Sequence, residues 1–298
     1  MRAPDWRLAI AFAHYGQRVD YLSGNGRLDA PGLSSDPMNT ANHPVGALLR
    51  QWRQRRRLSQ LDLACEADIS TRHLSFVETG RALPSREMLL HLAEQLEIPL
   101  RERNRLLSAA GYAPLYSQHG LDDPALAAAR AAIEQLLKAH EPYPALTIDR
   151  QWNLLAANAS VAPFLAGLPT ELLGPPLNVL RVSLHPDGLA PRIVNLAQWR
   201  AYLLMRLQHD IDISGDPQLM ALQEELLSYP APAEKAGPVT ENVLMPLQFR
   251  TEQGVLSLIS TVTVFGTPND VTLAELALET FFPADAESAE YLRQLNAS

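Results

Sequence analysis

The apolar positions between residues 44 and 112 recur at helical spacing in several short segments. In the first segment Val45, Leu48, Leu49 and Trp52 lie on one face, and the opposite face carries arginines. The later segments begin at small polar residues or prolines, which are typical of helix starts: Ser59, Ser70, Pro84-Ser85 and Pro99. The pattern predicts a compact all-α domain of five short helices.

The second and third helices carry the clearest signals for their ends. Ser59 is placed to cap the second helix, and Asp62 three residues later can return a hydrogen bond to the cap. Ser70 is placed to cap the third helix, and Gly80 to end it with a positive φ. Asp68 and the residue after it form the turn between the two helices.

The second helix is expected to bury the stripe Leu61, Ala64 and Ala67, with Leu63 alongside. Cys65, the one cysteine of the chain, is interpreted as a small buried apolar residue, with a redox switch as the alternative. A single cysteine excludes disulfides within the chain and the usual zinc frameworks, and it fits a reducing cytoplasm.

The start of the third helix is the first candidate site. Leu74 and Val77 are expected to point inward, which leaves Thr71 and Arg72 free to point outward. Two short helices joined by a tight turn, the second led by small polar and basic side chains, can place a helix end in the DNA major groove. The sequence therefore predicts duplex DNA as a partner.

This region, from about Val45 to Ala110, resembles the lambda-repressor-like, xenobiotic-response-element-type helix-turn-helix family. The resemblance is carried by SQLDLA, ISTRHLSFVETGR and LPSREMLLHLAEQL. It implies that Gln60 contacts a phosphate and braces the recognition helix, and that Thr71 and Arg72 read base edges. The predicted DNA-binding residues are Gln60, Ser70, Thr71, Arg72, Ser75, Phe76, Arg57 and Arg81.

Two further positions follow from the same resemblance. Arg53 and Glu78 match a structural pair that bridges the first and third helices. Phe76 matches a third groove-facing position, where it could touch a thymine methyl. That position is usually polar in the family, so partial burial of Phe76 against the first helix is the alternative.

The second half of the chain mixes strand-like and helical patterns. Residues 145–149 and 152–157 read as a hairpin joined at Arg150-Gln151, and residues 243–250 and 255–265 as a second hairpin. Helical patterns lie between them at residues 158–165, 178–182, 190–208 and 218–227. The order predicts an α+β, PAS-like domain with an antiparallel sheet around a small cavity. A helix with a short FFPAD segment is expected at residues 270–285.

From about Pro144 to the C-terminus the chain resembles the MmyB-like ligand-binding domain, on IDRQWNLLAANASVAPFL, NVLRVSLHPDGLAPRIVNLAQWR and FGTPNDVTLAELALETFFPAD. The resemblance implies a PAS-like fold that binds a small, mostly apolar molecule, with fatty acids as the leading candidate class. An apolar tunnel could be lined by Trp152, Leu154, Phe164, Leu180, Leu203, Leu204, Leu207, Ile259 and Phe265. The predicted ligand-binding residues are Trp152, Asn158, Asn178, Arg181, Arg192, Asn195, Trp199 and Arg206.

Each of these ligand-binding assignments has a structural alternative. Asn158 and Asn178 stand at helix starts, so simple capping is the competing role. For Trp152 and Trp199 the alternative is core packing, and for each arginine it is a surface salt bridge.

Charge is distributed unevenly between the two halves. The whole chain has a net charge of −8. Residues 44–110 hold eleven Arg against eight acidic residues, a balance of +3, whereas residues 111–298 hold ten Arg plus Lys against twenty-one acids, a balance of −11. A mildly basic head on an acidic body suits site-specific DNA binding, because the body is repelled by the phosphates.

The predicted organisation is a tail at residues 1–43, a DNA-binding domain at 44–112, a connector helix at 113–142 and a ligand-binding domain at 143–298. The tail is interpreted as disordered or as the product of an over-long start assignment, with a DNA-contacting arm as the alternative. No apolar run approaches membrane length, and LAIAFA is too short for a secretory signal, so a soluble cytoplasmic protein is expected.

No catalytic motif is recognisable: the chain has no Gly-rich phosphate loop, no GxSxG elbow and no HExxH. We therefore expect a one-component transcription factor without a cofactor, a homodimer on an inverted-repeat operator. Repression is the default expectation, and activation is the alternative. The competing hypothesis is a helix-turn-helix scaffold or antitoxin-like protein whose second domain binds a protein partner through the apolar stripe of the connector.

Overall fold

The computed structural model describes residues 44–230 and 244–297. The predicted tail, residues 1–43, lies outside the described residues. The main division of the fold falls between Pro114 and Leu115. We describe the two units separately.

The first unit contains five helices in its described residues: α1 Pro44–Arg55, α2 Gln60–Glu66, α3 Thr71–Glu78, α4 Arg86–Gln95 and α5 Leu100–Ala109. The predicted all-α domain is confirmed, although α5 begins three residues before the expected Arg103. One hydrophobic core holds the helices together, and its fully buried members include Leu49, Leu63, Leu74, Leu92 and Leu107.

Serine side chains cap three of these helices, as their positions predict. The hydroxyl of Ser59 accepts from the backbone N–H of Asp62, whose carboxylate accepts in turn from the Ser59 N–H, which completes a capping box. Ser70 accepts from the N–H of His73, and Ser85 from that of Met88. These bonds satisfy N–H groups that have no partner within their own helix.

The helices end in a shared geometry. After α3, Gly80 has a φ of 74°, the Arg81 N–H donates to the Phe76 carbonyl at 2.8 Å, and the Gly80 N–H donates to the Val77 carbonyl at 3.1 Å. This is a Schellman motif, and the positive φ is the reason for a glycine at this position. The left-handed residue after each of the other four helices is Arg57 for α1, Asp68 for α2, Glu97 for α4 and Gly111 for α5. Their φ values are 58°, 49°, 48° and 82°.

Two expectations for α2 are wrong. Leu61 is 61% exposed, and Cys65 is exposed as well. The buried residues are Leu63, Ala64 and Ala67. At roughly 100° per residue, the centre of that buried arc lies more than about 100° from Leu61 and from Cys65. Both side chains therefore point to solvent.

The second unit is built on a five-stranded sheet in which every neighbouring pair is antiparallel. Its strands are β1 Ala145–Ile148, β2 Leu154–Ala157, β3 Leu247–Thr251, β4 Gly254–Val264 and β5 Ala277–Pro283, in the order β2-β1-β5-β4-β3. The two predicted hairpins, β1–β2 and β3–β4, are present. The predicted α+β domain with an antiparallel sheet is confirmed.

Strand β5 corrects the prediction of a helix with a short segment over residues 270–285. A single helical turn, α12 Val271–Ala274, is followed by β5, which lies at the centre of the sheet between β1 and β4. A final helix, α13 Ala286–Ala297, was not predicted. The long helix expected at residues 190–208 is α10 Leu196–Ser214, because the residues before it form a 3-10 turn at Ala190–Arg192.

Helices cover both faces of the sheet. On one face, α6 Ala127–Ala139 packs Ile133 and Leu137 against Ala145, Ala156 and Leu278. The opposite face belongs to the larger core, which includes Trp199, Leu203 and Phe249. The remaining helices of this unit are α7 Ala162–Leu165, α8 Thr170–Leu173, α9 Val179–Leu184 and α11 Pro217–Ser228. The apolar stripe of the predicted connector is thus used within the unit, and only Leu136 of that helix is left as an exposed large hydrophobic residue, at 51%.

Candidate functional site

The N-terminal tip of α3 stands exposed on the first unit. Ser70 and Arg72 are exposed and Thr71 is half-buried, whereas Leu74 and Val77 anchor the same helix in the core. The helix is therefore fixed along one side while its leading side chains face solvent. A recognition helix needs this arrangement to reach base edges.

A buried ion pair fixes α3 to α1. Arg53 donates from Nε to Glu78 Oε1 at 2.6 Å and from Nη2 to Glu78 Oε2 at 2.9 Å. Its Nη1 also donates to the Leu58 carbonyl at 2.7 Å. The hydrogen bonds that Arg53 donates to the Glu78 carboxylate raise the pKa of Arg53 above its ordinary value. The bidentate geometry and the burial of both side chains make this pair a structural brace.

Gln60 joins the brace from α2. Its Nε2 donates to Glu78 Oε2 at 2.8 Å. One carboxylate thus ties the first residue of α2 and the last turn of α1 to the last residue of α3. The residue expected to brace the recognition helix is in contact with that helix.

Phe76 lies half-buried on α3 between two arginines. The guanidinium carbon of Arg72 is 5.4 Å from the ring centroid, and that of Arg81 is 5.9 Å away. Such distances are in the cation–π range. The ring gives both arginines an apolar support on the side of the unit that carries the α3 tip.

The eight residues predicted to contact DNA lie within the first three helices or within three residues of their ends. Ser70 precedes α3, and Thr71, Arg72, Ser75 and Phe76 lie within it. Gln60 begins α2. Arg57 and Arg81 are exposed and follow the ends of α1 and α3.

The second unit contains an apolar cavity of about 110 Å³ between its sheet and its helices. Drug-sized ligands occupy pockets of about 300–1,000 Å³, whereas a dry cavity of about 150 Å³ is known to hold a benzene-sized molecule. As it stands, the cavity has room for one compact apolar group. The lining residues are Pro144, Leu146, Trp152, Leu154, Val161, Phe164, Leu165, Leu177, Val179, Leu180, Val182, Ser183, Leu189, Trp199, Leu203, Leu247, Phe249, Leu258, Glu279 and Phe281.

Polar groups on the cavity wall are held by protein partners. Trp199 Nε1 donates to Ser183 Oγ at 2.9 Å. Arg206, on α10, donates from Nη1 to Glu279 Oε1 at 2.8 Å. Its guanidinium also lies 4.6 Å from the ring of Trp152. The cavity wall therefore includes the carboxylate of Glu279, whereas its cationic partner, Arg206, is not part of the cavity lining.

Two pKa shifts reflect this packing. Burial works to lower the pKa of Arg206, but the charge of Glu279, the hydrogen bond to it and the charges of Tyr202 and Asp210 together hold the pKa above its ordinary value. Burial raises the pKa of Asp210, against the hydrogen bond that its carboxylate accepts from Trp152 Nε1 at 2.9 Å. Of the two carboxylates that raise the pKa of Arg206, Glu279 lines the cavity and Asp210 does not.

The predicted ligand-binding residues are not all brought together. Trp152 and Trp199 line the cavity. Arg206 does not line it but donates a hydrogen bond to Glu279, which does. The other five lie outside the cavity lining: Asn158, Asn178, Arg181, Arg192 and Asn195. Of the predicted tunnel residues, Leu154, Phe164, Leu180 and Leu203 line the cavity, and Leu204, Leu207, Ile259 and Phe265 do not.

The five outlying residues have contacts of their own. Asn178 caps α9 by accepting from the N–H groups of Leu180 and Arg181. Asn158 donates to the carbonyls of Leu137 and Tyr143 and accepts from the Ala145 N–H. Arg181 donates to Glu225, and Arg192 donates to the Phe164 carbonyl. Asn195 donates to the Pro246 carbonyl and accepts from the Gln248 N–H.

Strand β5 supplies cavity residues that sequence reasoning missed. Glu279 and Phe281 line the cavity, whereas Leu278, the residue before Glu279, packs with α6. The alternation of Leu278, Glu279, Thr280 and Phe281 carried a strand signal. It was outweighed by the helix-favouring Ala and Glu residues around it.

A metal site in residues 44–230 and 244–297 would need several ligating side chains close together. No group of three or more His, Cys, Asp or Glu side chains in these ranges could hold a metal ion. Over the same residues, none of the helices combines the length and the apolar character that crossing a bilayer requires.

Comparison with known proteins agrees with this division. Residues 44–106 match a helix-turn-helix domain, and residues 129–295 match the MmyB-like transcription regulator ligand binding domain. No match was found among curated proteins. The two domains together are those of a ligand-responsive transcription regulator. Because the second match spans more than half of the 298 residues, the chain belongs to the family of transcription regulators with an MmyB-like ligand-binding domain.

Proposed function

We propose that this regulator is a homodimeric, xenobiotic-response-element-type repressor that works in the cytoplasm on an inverted-repeat operator. Thr71 and Arg72 would read base edges in the major groove, with Ser70, Ser75 and Phe76 beside them. Gln60, Arg57 and Arg81 would contact phosphates. The exposed, capped tip of α3 is the observation that carries the proposal.

Arg72 has the chemistry for the main specific contact. A guanidinium can pair with O6 and N7 of guanine through two parallel hydrogen bonds. Stacking of Arg72 on Phe76 limits the conformations that the side chain can adopt. Less conformational freedom is then lost when the contact forms.

The DNA-binding half is tested with the full-length chain and a pool of random duplexes. Rounds of selection, followed by footprinting, should yield one enriched inverted repeat with half-sites separated by about one helical turn. Sedimentation of the complex should give two chains per site. Failure to enrich any sequence would contradict sequence-specific binding, and enrichment of a single half-site with one chain would contradict the dimer.

For the second unit we propose a sensor of a small apolar molecule. The apolar cavity supports this role, and fatty acids enter the test as the class suggested by the family resemblance. At about 110 Å³ the cavity would hold only part of a long acyl chain, so a long-chain ligand would have to move lining side chains. Bound ligand would shift the chain between DNA-competent and incompetent states by its differential affinity for them.

The ligand half is tested by mass spectrometry of molecules that co-purify with the native protein and by thermal shift with acyl compounds of increasing length. The expected result is a co-purified small molecule or a rise in melting temperature with short apolar compounds. A clean protein with no shift across the panel would contradict the sensor. The alternative of a protein-binding scaffold is less well supported, because Ile133 and Leu137 of the α6 stripe pack on the sheet of the same unit and Leu136 is left exposed.

A further inference from the structure

Residues 117–119 of the second unit are hydrogen-bonded to residues 270–272, and we call this set of contacts the clasp. We propose that the clasp transmits the state of the apolar cavity to the chain segment that follows the DNA-binding unit. A ligand too large for the cavity opens the clasp, and opening it changes operator affinity. The inference rests on the proposed sensor function and names the residues through which that function regulates DNA binding.

The clasp consists of backbone and side-chain hydrogen bonds. The Val271 N–H donates to the Ser117 carbonyl at 2.8 Å, and the Thr272 hydroxyl donates to the His119 carbonyl at 2.7 Å. One carboxylate oxygen of Asp270 accepts from the His119 N–H at 3.1 Å and lies 2.7 Å from His119 Nδ1. The other oxygen accepts from the Thr272 N–H at 2.8 Å. The buried Asp270 therefore holds both the clasped segment and the first turn of α12.

Strand β5 connects the clasp to the cavity. Helix α12 follows directly after Asp270, and residues 275–276 join it to β5. Within β5, Glu279 and Phe281 line the cavity. The cavity of about 110 Å³ has room for one compact group, so a longer ligand has to move lining side chains. A close-packed interior transmits such a displacement, and α12 is the short connection through which movement of β5 reaches Asp270.

The clasped segment also contacts β5 from the α6 side of the sheet. Leu121 packs against the hydrophobic cluster that contains Leu276 and Leu278. At the end of the segment, Arg130 of α6 donates to the Asp123 carbonyl at 2.9 Å. The segment is therefore anchored to α6 at one end and held by the clasp at the other, so the clasped end can be released alone.

The clasp lies at the start of the second unit, where the chain has just left the DNA-binding unit. That unit ends at Pro114, and Ser117 stands three residues later. Ser117 and Gly120 are exposed, and the His119 side chain is 36% exposed. Hydrogen bonds at exposed positions open more readily than those of a core. The clasp can consequently open while the sheet stays folded, which changes the constraint on the chain that follows the DNA-binding unit.

Hydrogen exchange in the full-length chain tests the opening step, with octanoate as the probe. The amide hydrogens of Val271 and His119 donate to acceptors of the clasp, so their exchange reports its opening. Saturating octanoate should speed both exchange rates at least about fivefold. The control is the Ser288 amide, which donates to a carboxylate oxygen of Asp285 at the start of α13 and should keep its rate.

The outcomes separate the clasp from the sensor. Unchanged or slower exchange of Val271 and His119 in a chain that binds octanoate by calorimetry would overturn the clasp and leave the sensor proposal standing. A chain that binds neither octanoate nor any other acyl compound of the thermal-shift panel would overturn both.

A double variant tests whether the clasp carries the regulation. His119→Ala/Thr272→Val removes two side-chain bonds of the clasp and leaves the Asp270 cap of α12 in place. Because the clasp is then open without a ligand, octanoate should bind at least as tightly as to the wild type. Octanoate should change operator affinity by less than about twofold in this variant, against about 5–150-fold in the wild type. Fluorescence anisotropy with labelled operator measures both factors.

The matched control removes similar bonds elsewhere in the second unit. In His185→Ala/Thr251→Val, the lost bonds are those from the Asp187 N–H to His185 Nδ1 and from the Thr251 hydroxyl to the Gly254 carbonyl. The control should keep the wild-type effect of octanoate on operator affinity. A full wild-type effect in the clasp variant, or weaker octanoate binding by it, would overturn the inference. The exchange rates of the wild type decide the matter if the clasp variant does not fold.

Discussion

The Glu78 carboxylate connects three helices of the DNA-binding unit through Arg53 and Gln60. Its side chain is only 1% exposed, so its charge is compensated almost entirely by these two partners. Removing one member of a buried pair leaves the other charge without compensation, which costs more than the pair contributes. The orientation of α3 therefore depends in part on Arg53 and Glu78, which are both buried.

Glu78→Gln should lower the free energy of unfolding of the DNA-binding unit by about 3–5 kcal/mol, because Arg53 stays buried without a counter-ion. Chemical denaturation followed by circular dichroism measures the change. The matched control is Glu290→Gln, since Glu290 pairs with Arg293 and both side chains are 55% exposed. The control should change stability by no more than about 1 kcal/mol. Similar losses for both variants would contradict the brace.

Asp270 introduces a pH dependence into the second unit. Burial works to raise the pKa of Asp270, but hydrogen bonds from the His119 side chain and from the N–H groups of His119, Leu273 and Thr272 hold the pKa below its ordinary value. A carboxyl whose pKa is lowered by folding stabilises the protein above its unfolded pKa of about 3.9. That stabilisation disappears as the pH falls through the lowered folded-state pKa.

Asp270→Asn should therefore melt at a lower temperature than the wild type at pH 5 to 7, with the difference shrinking as the pH falls below about 4. Thermal melts over a pH series measure it. A difference that stays constant down to pH 2 would mean that the effect of the substitution does not come from ionisation.

At the scale of elements, the ends of the helices in the DNA-binding unit require left-handed backbone. Gly80 provides it without a Cβ, whereas Glu97 adopts a φ of 48° with one. Left-handed conformation costs a non-glycine residue roughly 1–2 kcal/mol. The two positions should consequently respond to substitution with opposite signs.

Gly80→Ala should destabilise the unit by about 1 kcal/mol, because the new side chain must adopt the left-handed conformation. Glu97→Gly relieves the same strain and should leave the melting temperature unchanged or raise it. Differential scanning calorimetry of the two variants compares them directly. A loss of stability on Glu97→Gly that equals the loss on Gly80→Ala would contradict the argument.

Local signals predicted most of the elements. Serine caps, Gly80 and helical spacing located α1 to α5, because these effects act within one or two turns of the chain. Strand β5 was not predicted because its conformation depends on pairing with two other strands, β1 and β4. Of these, β1 lies far away in the sequence, so a local pattern could not reveal the pairing. Ala277 and Glu279 are poor strand formers by themselves, and their conformation is fixed by neighbours on both sides.

At the scale of the whole molecule, the sequence predicted the two units and the kind of site in each. Trp152, expected to line an apolar tunnel, and Trp199, predicted to bind the ligand, both lie in the cavity lining, and the expected antiparallel sheet is present. The polar contacts at the wall could not be predicted in the same way. Arg206 and Glu279 are 73 positions apart in sequence, and their pairing depends on how α10 packs against β5.

A regulator needs thermodynamic coupling between its two sites. If the sensor proposal holds, a bound probe such as octanoate should change operator affinity by a factor of about 5–150, and operator should change probe affinity by the same factor. Calorimetry with the full-length chain, with and without the second ligand at saturation, measures both factors. Operator affinity that is unchanged by a saturating probe would show that the cavity does not regulate DNA binding.

The most direct measurement of the central claim compares Arg72→Ala with wild type on the selected operator and on a random duplex at fixed salt. Direct readout predicts a loss of about 1–3 kcal/mol on the operator, relaxed preference at one base pair, and little change on random DNA. Arg105→Ala, at an arginine outside α3 whose side chain is 65% exposed, should lose far less of the operator preference. An equal loss by Arg72→Ala on operator and random duplexes would reduce Arg72 to a phosphate contact and contradict base reading by the α3 tip.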